Sequence, residues 1–179
     1  MVHLSYDLDF HLFQFMQNRK GFPNVKGCEI FIKDIFKLNV PIIIVNEHHE
    51  ILPFINEYKF NTIINVDFHS DLVIEPYSVL DEGSWANFYK YRNNTNFIWR
   101  YPEYESCVAL GYGRCDSMVH FDSPMPYNKM GYNQIRKYEG VPKLTKDIHS
   151  ISISLSKDWC DCNAFSDIVY KYKLWPTKK

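Results

Sequence analysis

The segment Ile64-Asn65-Val66-Asp67-Phe68-His69-Ser70-Asp71 sets a carboxylate, an imidazole and a second carboxylate at alternate positions. It grows out of a short apolar run, Thr62 to Val66, of the kind that forms a buried strand. In extended backbone alternate side chains point to one side, so Asp67, His69 and Asp71 converge. Hard oxygen donors with an imidazole suit Mn²⁺, or Fe²⁺, Ni²⁺ or Zn²⁺, rather than a thiolate-type site. Taken alone, the pattern is equally a strand entering a polar turn, with Asp71 as a helix N-cap. Two other clusters favour the metal. Asn46-Glu47-His48-His49-Glu50 follows the β-branched run Pro41 to Val45, and Asp158, with Asp161 nearby, follows a serine-alternating run ending in Leu155. All three clusters sit where a strand would end, which is where open α/β sheets bind ligands. The candidate ligands are therefore His48 or His49, then Asp67, His69 and Asp71, then Asp158.

The elements that must position them follow from periodicity. Pro41 to Val45 and Thr62 to Val66 read as buried parallel strands, Phe97 to Trp99 and Val108 to Leu110 as short ones, and His149 to Leu155 as a strand with Ile151, Ile153 and Leu155 on one face. Residues 49–58 read as a helix with Ile51, Leu52, Ile55 and Tyr58 on one face, Gly83 to Arg92 as a second, and Cys162 to Tyr172 as an amphipathic third. Cys28 to Phe36 fits a strand or a short helix. Residues 1–27 fit neither period, because Phe10, Leu12, Phe13 and Phe15 crowd together. Residues 121–147, rich in Pro, Gly and Tyr, read as a long ordered loop. Strands alternating with helices predict an α/β fold, a single three-layer α/β/α domain over residues 1–179 with a mainly parallel sheet.

Composition narrows the function. The chain has 179 residues, 46% of them hydrophobic, enough for one real core. With 20 basic and 21 acidic residues the net charge is -1, which gives no electrostatic case for nucleic acid or an anionic membrane. The N-terminus lacks a signal-type apolar region, and Val40 to Val45 is far too short to span a bilayer. Five cysteines (28, 107, 115, 160 and 162), an odd number at irregular spacing, are expected to be reduced thiols of a cytoplasmic protein.

The order of motifs resembles the arginase, agmatinase and histone-deacetylase superfamily, whose members carry a histidine after one strand, Asp-x-His-x-Asp after the next and Asp-x-Asp after a later one. Asp71, the second acid of the central motif, favours the ureohydrolase branch. The stretch "VNEHHEILPFI" is similar to an arginase-like family that includes the peptide arginases of ribosomal-peptide (RiPP) biosynthesis, which convert arginine side chains of a precursor peptide to ornithine. The resemblance covers about residues 40–92 and 148–162. It implies a minimal arginase-like fold with a metal centre, two Mn²⁺ or one, held by His48, Asp67, His69, Asp71 and Asp158, with His49 the competitor of His48. Ser156 falls where the first acid of Asp-x-Asp belongs and is a departure from the pattern.

The same resemblance implies hydrolysis of a guanidino group to ornithine and urea, with metal-activated water as nucleophile. Asp71 or His49 is the candidate proton shuttle. Glu82 is the candidate guanidinium partner, since carboxylate and guanidinium pair through two hydrogen bonds. Glu82, Ser84 and Asn87 are the nearest match to the family's substrate loop, against a capping and packing role. The expected substrate is an arginine-containing peptide, with Tyr127, Tyr132 and Tyr138 offering flat contacts along a groove. A homo-oligomer is compatible with the sequence. The alternatives are a deacetylase-like amide hydrolase and an inactive arginase-fold peptide-binding module, the latter suggested by Ser156.

Overall fold

Val2-His3-Leu4-Ser5-Tyr6-Asp7 alternates apolar and polar residues, and it forms the central strand of the sheet, β1 (Val2–Asp7). The computed structural model describes residues 1–12, 23–72, 80–81, 83–103, 131–160 and 162–177. The other strands are β2 (Ile42–Val45), β3 (Thr62–Val66), β4 (Asn96–Tyr101), β5 (Gln134–Glu139) and β6 (Ile148–Ser154). They form one six-stranded sheet in the order β2-β6-β1-β3-β4-β5, and every pairing is parallel. This is the α/β fold that the alternating pattern predicts. From β1 the chain passes to β2 on one side and then to β3 on the other. The strand ends around β1 are thus the reversal point at which parallel sheets bind ligands.

Helices cover both faces, each over its own core. On one face α1 (Asp9–Leu12), α2 (Val25–Lys37) and α4 (Asn163–Tyr172) pack on Leu4, Tyr6, Ile151 and Ile153. On the other, α3 (Leu52–Ile55) and a 3-10 turn at Trp85–Phe88 pack on Ile63, Phe97 and Trp99. The stretch from Cys28 to Phe36 lies within the helix α2. Its buried residues, Cys28, Phe31, Ile32 and Ile35, keep helical spacing, and this outweighs the strand preference of its isoleucines. Asn24 starts it by accepting the Gly27 N–H at 2.9 Å, and a Cβ on Gly27 would stand 2.5 Å from Asn24 Nδ2.

Several expected elements differ. Residues 1–27 contain the central strand; the Phe-rich stretch that obscured it begins only after Asp9. The helix expected over 49–58 is shorter, a 3-10 turn at His48–Ile51 followed by α3, so Tyr58 lies beyond it and is exposed. Gly83 to Arg92 forms 3-10 turns at Trp85–Phe88 and Arg92–Asn94 rather than one α-helix: buried Trp85, Ala86 and Tyr89 keep helical spacing, but the backbone at Tyr89 is extended (φ -61°, ψ 123°) and ends the first turn. The loop expected over 121–147 contains edge strand β5, held beside β4 and by Arg100, which donates to the carbonyls of Glu139, Gly140 and Val141. Val108 to Leu110 lies outside the described residues. Cys28, Cys160 and Cys162 are free thiols, and no described helix is long and apolar enough to cross a membrane.

The α2 start gives a stability prediction. Asn24→Ala should lower the unfolding free energy by about 1 kcal/mol, the usual worth of an N-cap side chain. Urea titration of the two proteins checks this, with an unchanged midpoint as the contrary result.

Candidate metal centre

The strand register assembles the site. Ser5 lies beside Asn65 on β3 and Ser152 on β6, so Asp7 and Asp67 emerge side by side one step further on. Asp7-Leu8-Asp9 then turns so that the Asp9 N–H bonds Asp7 Oδ1 at 3.0 Å. Asp9 Oδ1 accepts the Phe68 N–H at 3.1 Å, which ties the β1 end to the β3 end. Asp67 is fixed through its backbone: its N–H reaches the Arg100 carbonyl and its carbonyl accepts the Trp99 indole N–H, both at 3.0 Å.

His48 enters from the end of β2. Glu50 Oε2 accepts the N–H groups of Asn46 and Glu47 and so fixes the turn that aims the ring. Its Nδ1 lies 2.8 Å from Asp67, 2.9 Å from Asp71 and 3.3 Å from Asp7, yet it makes an aligned hydrogen bond with none of them. Nε2 is occupied by the Ser5 hydroxyl at 2.6 Å. His69 Nδ1 is 3.2 Å from Asp9 Oδ2, and its ring packs against Trp159.

Two groups result whose potential ligand atoms lie within 4.8 Å of one another: Asp7, His48 and Asp67, and Asp9, Asp67 and His69. Asp67 is common to both. Four carboxylates, Asp7, Asp9, Asp67 and Asp71, are each at most 2% exposed. Protonating both imidazoles would cancel two of the four negative charges and leave two in a buried site. Buried charge of one sign is costly without a counter-charge. The donor chemistry and the buried, unsatisfied Nδ1 both fit a divalent cation.

The electrostatics agree. Burial, then Asp7 and Asp67, push the Asp9 carboxyl well above its ordinary range. Burial, then Asp71 and Asp7, do the same to Asp67. For His48, burial opposes the charged form, but Asp71, Asp67 and Asp7 overcome it and hold the pKa well above the ordinary value.

The expected residues divide. His48, Asp67, His69 and Asp71 come together. His49 is half-buried in the turn, with its Nδ1 buried and without a hydrogen-bond partner, outside both ligand groups. Asp158 is exposed and in neither group, because the chain after β6 turns outward at 157–159. Asp71 is held rather than grouped: the Trp85 indole and the Asn65 amide donate to its Oδ2, and its φ is 57°. Ser84 is buried and accepts the Asp81 N–H, and Asn87 bonds the Ser84 carbonyl, so both build the turn that seats Trp85. Tyr132 is buried, donating to the Ala86 carbonyl, whereas Tyr138 is exposed beside Arg100. Glu82, Asp161 and Tyr127 lie outside the described residues.

Asp7 and Asp9 are what sequence reasoning missed. They form an Asp-x-Asp pair at the end of β1, and the signal was the alternation His3, Ser5, Asp7. Ser156, which is 2% exposed with φ 39°, donates its hydroxyl to Asp7 Oδ2. An acid at 156 would face Asp7 with a like charge. Ser156→Asp should weaken Mn²⁺ binding, and calorimetry showing tighter binding would contradict the role given to Ser156.

A pH prediction follows from the raised values. Groups whose folded pKa is raised contribute stability at low pH that is lost as pH rises through the folded value. Asp9, Asp67 and His48 all act in that direction in the metal-free chain. A cation takes the place of their protons, so the Mn²⁺-induced rise in Tm should grow from pH 5.5 to pH 8 (about the span separating protonated from metal-competent ligands). A rise that is constant or shrinks with pH would be the opposite result. Compared with known proteins, the chain matches no family model, no curated protein and no solved structure.

Proposed function

We propose that this protein is a metal-dependent hydrolase that hydrolyses the guanidino group of arginine side chains in a peptide, cleaving the bond from the side-chain nitrogen to the guanidino carbon, releasing urea and leaving the amine of ornithine. The observation that carries the reading is the pair of ligand groups sharing Asp67. Adjacent carboxylate and imidazole sets with a common carboxylate are what a two-metal hydrolytic centre requires. Asp7, His48 and Asp67 would hold one Mn²⁺, and Asp9, Asp67 and His69 the other. The metals would supply Lewis acidity, making water a usable nucleophile at neutral pH.

The chain's own residues set the rest. Asp71, fixed by Trp85 and Asn65, keeps a carboxylate oxygen beside His48. A cavity of about 550 Å³ has Asp9, alone of the candidate ligands, in its lining. Ile30, Phe31, Leu38 and Leu144 give it apolar wall, and Asp34 and Glu103 add carboxylates. That combination suits a long side chain with an apolar stem and a cationic head. The cavity supports a substrate presented from a larger chain.

The test is mass spectrometry of arginine-containing peptides incubated with the Mn²⁺-loaded protein. Each converted arginine should lose about 42 Da, the change when metal-assisted hydrolysis leaves an amine. Urea should appear in equal amount, and Asp67→Asn should abolish both. Release of a carboxylic acid from an acylated lysine peptide, without urea, would replace this reading with an amide hydrolase.

A further inference from the structure

One face of β1 and β6 carries a row of buried polar side chains. His3, Ser5 and Ser152 are 0% exposed and Ser150 is 5% exposed. They form a continuous hydrogen-bonded chain. His48 Nε2 meets the Ser5 hydroxyl at 2.6 Å, Ser5 meets Ser152 at 3.0 Å, Ser152 meets His3 Nε2 at 3.0 Å, and His3 Nδ1 meets Ser150 at 2.9 Å. The chain begins at the candidate centre and ends at the opposite end of the strands. Four buried polar side chains in a sheet core cost stability unless each is satisfied, so their joint presence calls for a reason.

We propose that His3 is a remote positioning residue for the metal centre: acting through Ser152 and Ser5, it fixes the His48 ring so that Nδ1, not Nε2, is the ligating nitrogen. The inference rests on the metal reading above. Its logic is the direction of the hydrogen bonds. A hydroxyl in a chain donates to one neighbour and accepts from the other, so one end sets the polarity of all. His3 is kept neutral, with its pKa down to about 3 through burial and then His48. A neutral imidazole has one N–H and one lone pair. In the tautomer proposed for His3, Nδ1–H is given to Ser150, Nε2 accepts from Ser152, Ser152 accepts from Ser5, and Ser5 accepts from His48 Nε2–H. A cation would replace the His48 Nδ1 proton, and in the resulting neutral ring Nδ1 has its lone pair among Asp7, Asp67 and Asp71. Phe60 and Phe54 hold the His3 ring, with centroids 5.2 and 6.1 Å away. Metal-bound histidines are commonly oriented in this way through their second nitrogen.

The experiment is nitrogen NMR of the histidine side chains in the full-length protein, without metal and with Zn²⁺, joined to Zn²⁺ calorimetry. In both states His3 should carry its proton on Nδ1 and His48 should carry one on Nε2. Ser5→Ala should weaken Zn²⁺ binding by about tenfold or more, the scale of lost outer-shell partners. Ser5→Thr, which keeps the hydroxyl, should restore it. His3→Phe, which keeps a ring between Phe54 and Phe60, should weaken binding while the metal-free protein stays folded. A proton on His3 Nε2 would overturn the proposal, as would unchanged affinity in Ser5→Ala. Failure of the unaltered protein to bind Zn²⁺ or Mn²⁺ would contradict the metal reading, and the His3 and His48 protonation sites would still decide the direction of the chain.

Discussion

The arrangement depends on four carboxylates placed where water barely reaches them. Asp7, Asp9, Asp67 and Asp71 converge from two strand ends on two imidazoles, which cannot neutralise them all. Mutual repulsion and desolvation both disfavour such a set as a mere structural device. The surroundings nevertheless hold it in place. Trp85 and Asn65 grip Asp71, Ser156 grips Asp7, backbone N–H groups grip Asp9 and Asp67, and Ser5 grips His48. So many groups fixing a repulsive cluster are most simply explained by a ligand of opposite charge.

The fold makes this possible by treating the two faces of its central strands differently. Leu4, Tyr6, Ile151 and Ile153 face an apolar core built on α2 and α4. His3, Ser5, Ser150, Ser152 and Asn65 face the other way and lead to the acids at the strand ends. The flanking strands β2 and β4 put Val45, Phe97 and Trp99 on that second face, which closes an apolar rim around the polar stripe. Stability comes from the first face and from the rim, and the stripe between is free to serve the site. Parallel strands bring the C-terminal ends of β1, β2 and β3 together at one edge, although these segments are far apart in sequence.

What the sequence revealed followed its periodicity. The runs before His48 and Asp67 are short and β-branched, so their strands and the cluster at 67–71 were legible. The Ile/Ser alternation of β6 was equally plain, but periodicity does not say which face is solvent, and its serines are buried. Asp7 and Asp9 were hidden because β1 mixes His3 and Ser5 with its apolar residues and is soon followed by phenylalanines that match no period. Asp158 was favoured because it lies two residues beyond Ser156 in the expected motif order. In space β1, not the turn after β6, supplies the Asp-x-Asp pair next to Asp67. Ser156 illustrates the same limit: its value lies in a hydrogen bond to a residue 149 positions away.

The most direct test of a shared-carboxylate centre is the number of metal ions bound per chain, measured by equilibrium dialysis against Mn²⁺ and elemental analysis. Two ions per chain are expected in the unaltered protein. Asp67→Asn should lose both, because both ligand groups use Asp67. Asp9→Asn should lose only one, and Asp158→Asn should lose none. No bound Mn²⁺ in the unaltered protein, or a count that is insensitive to Asp67, would contradict the account.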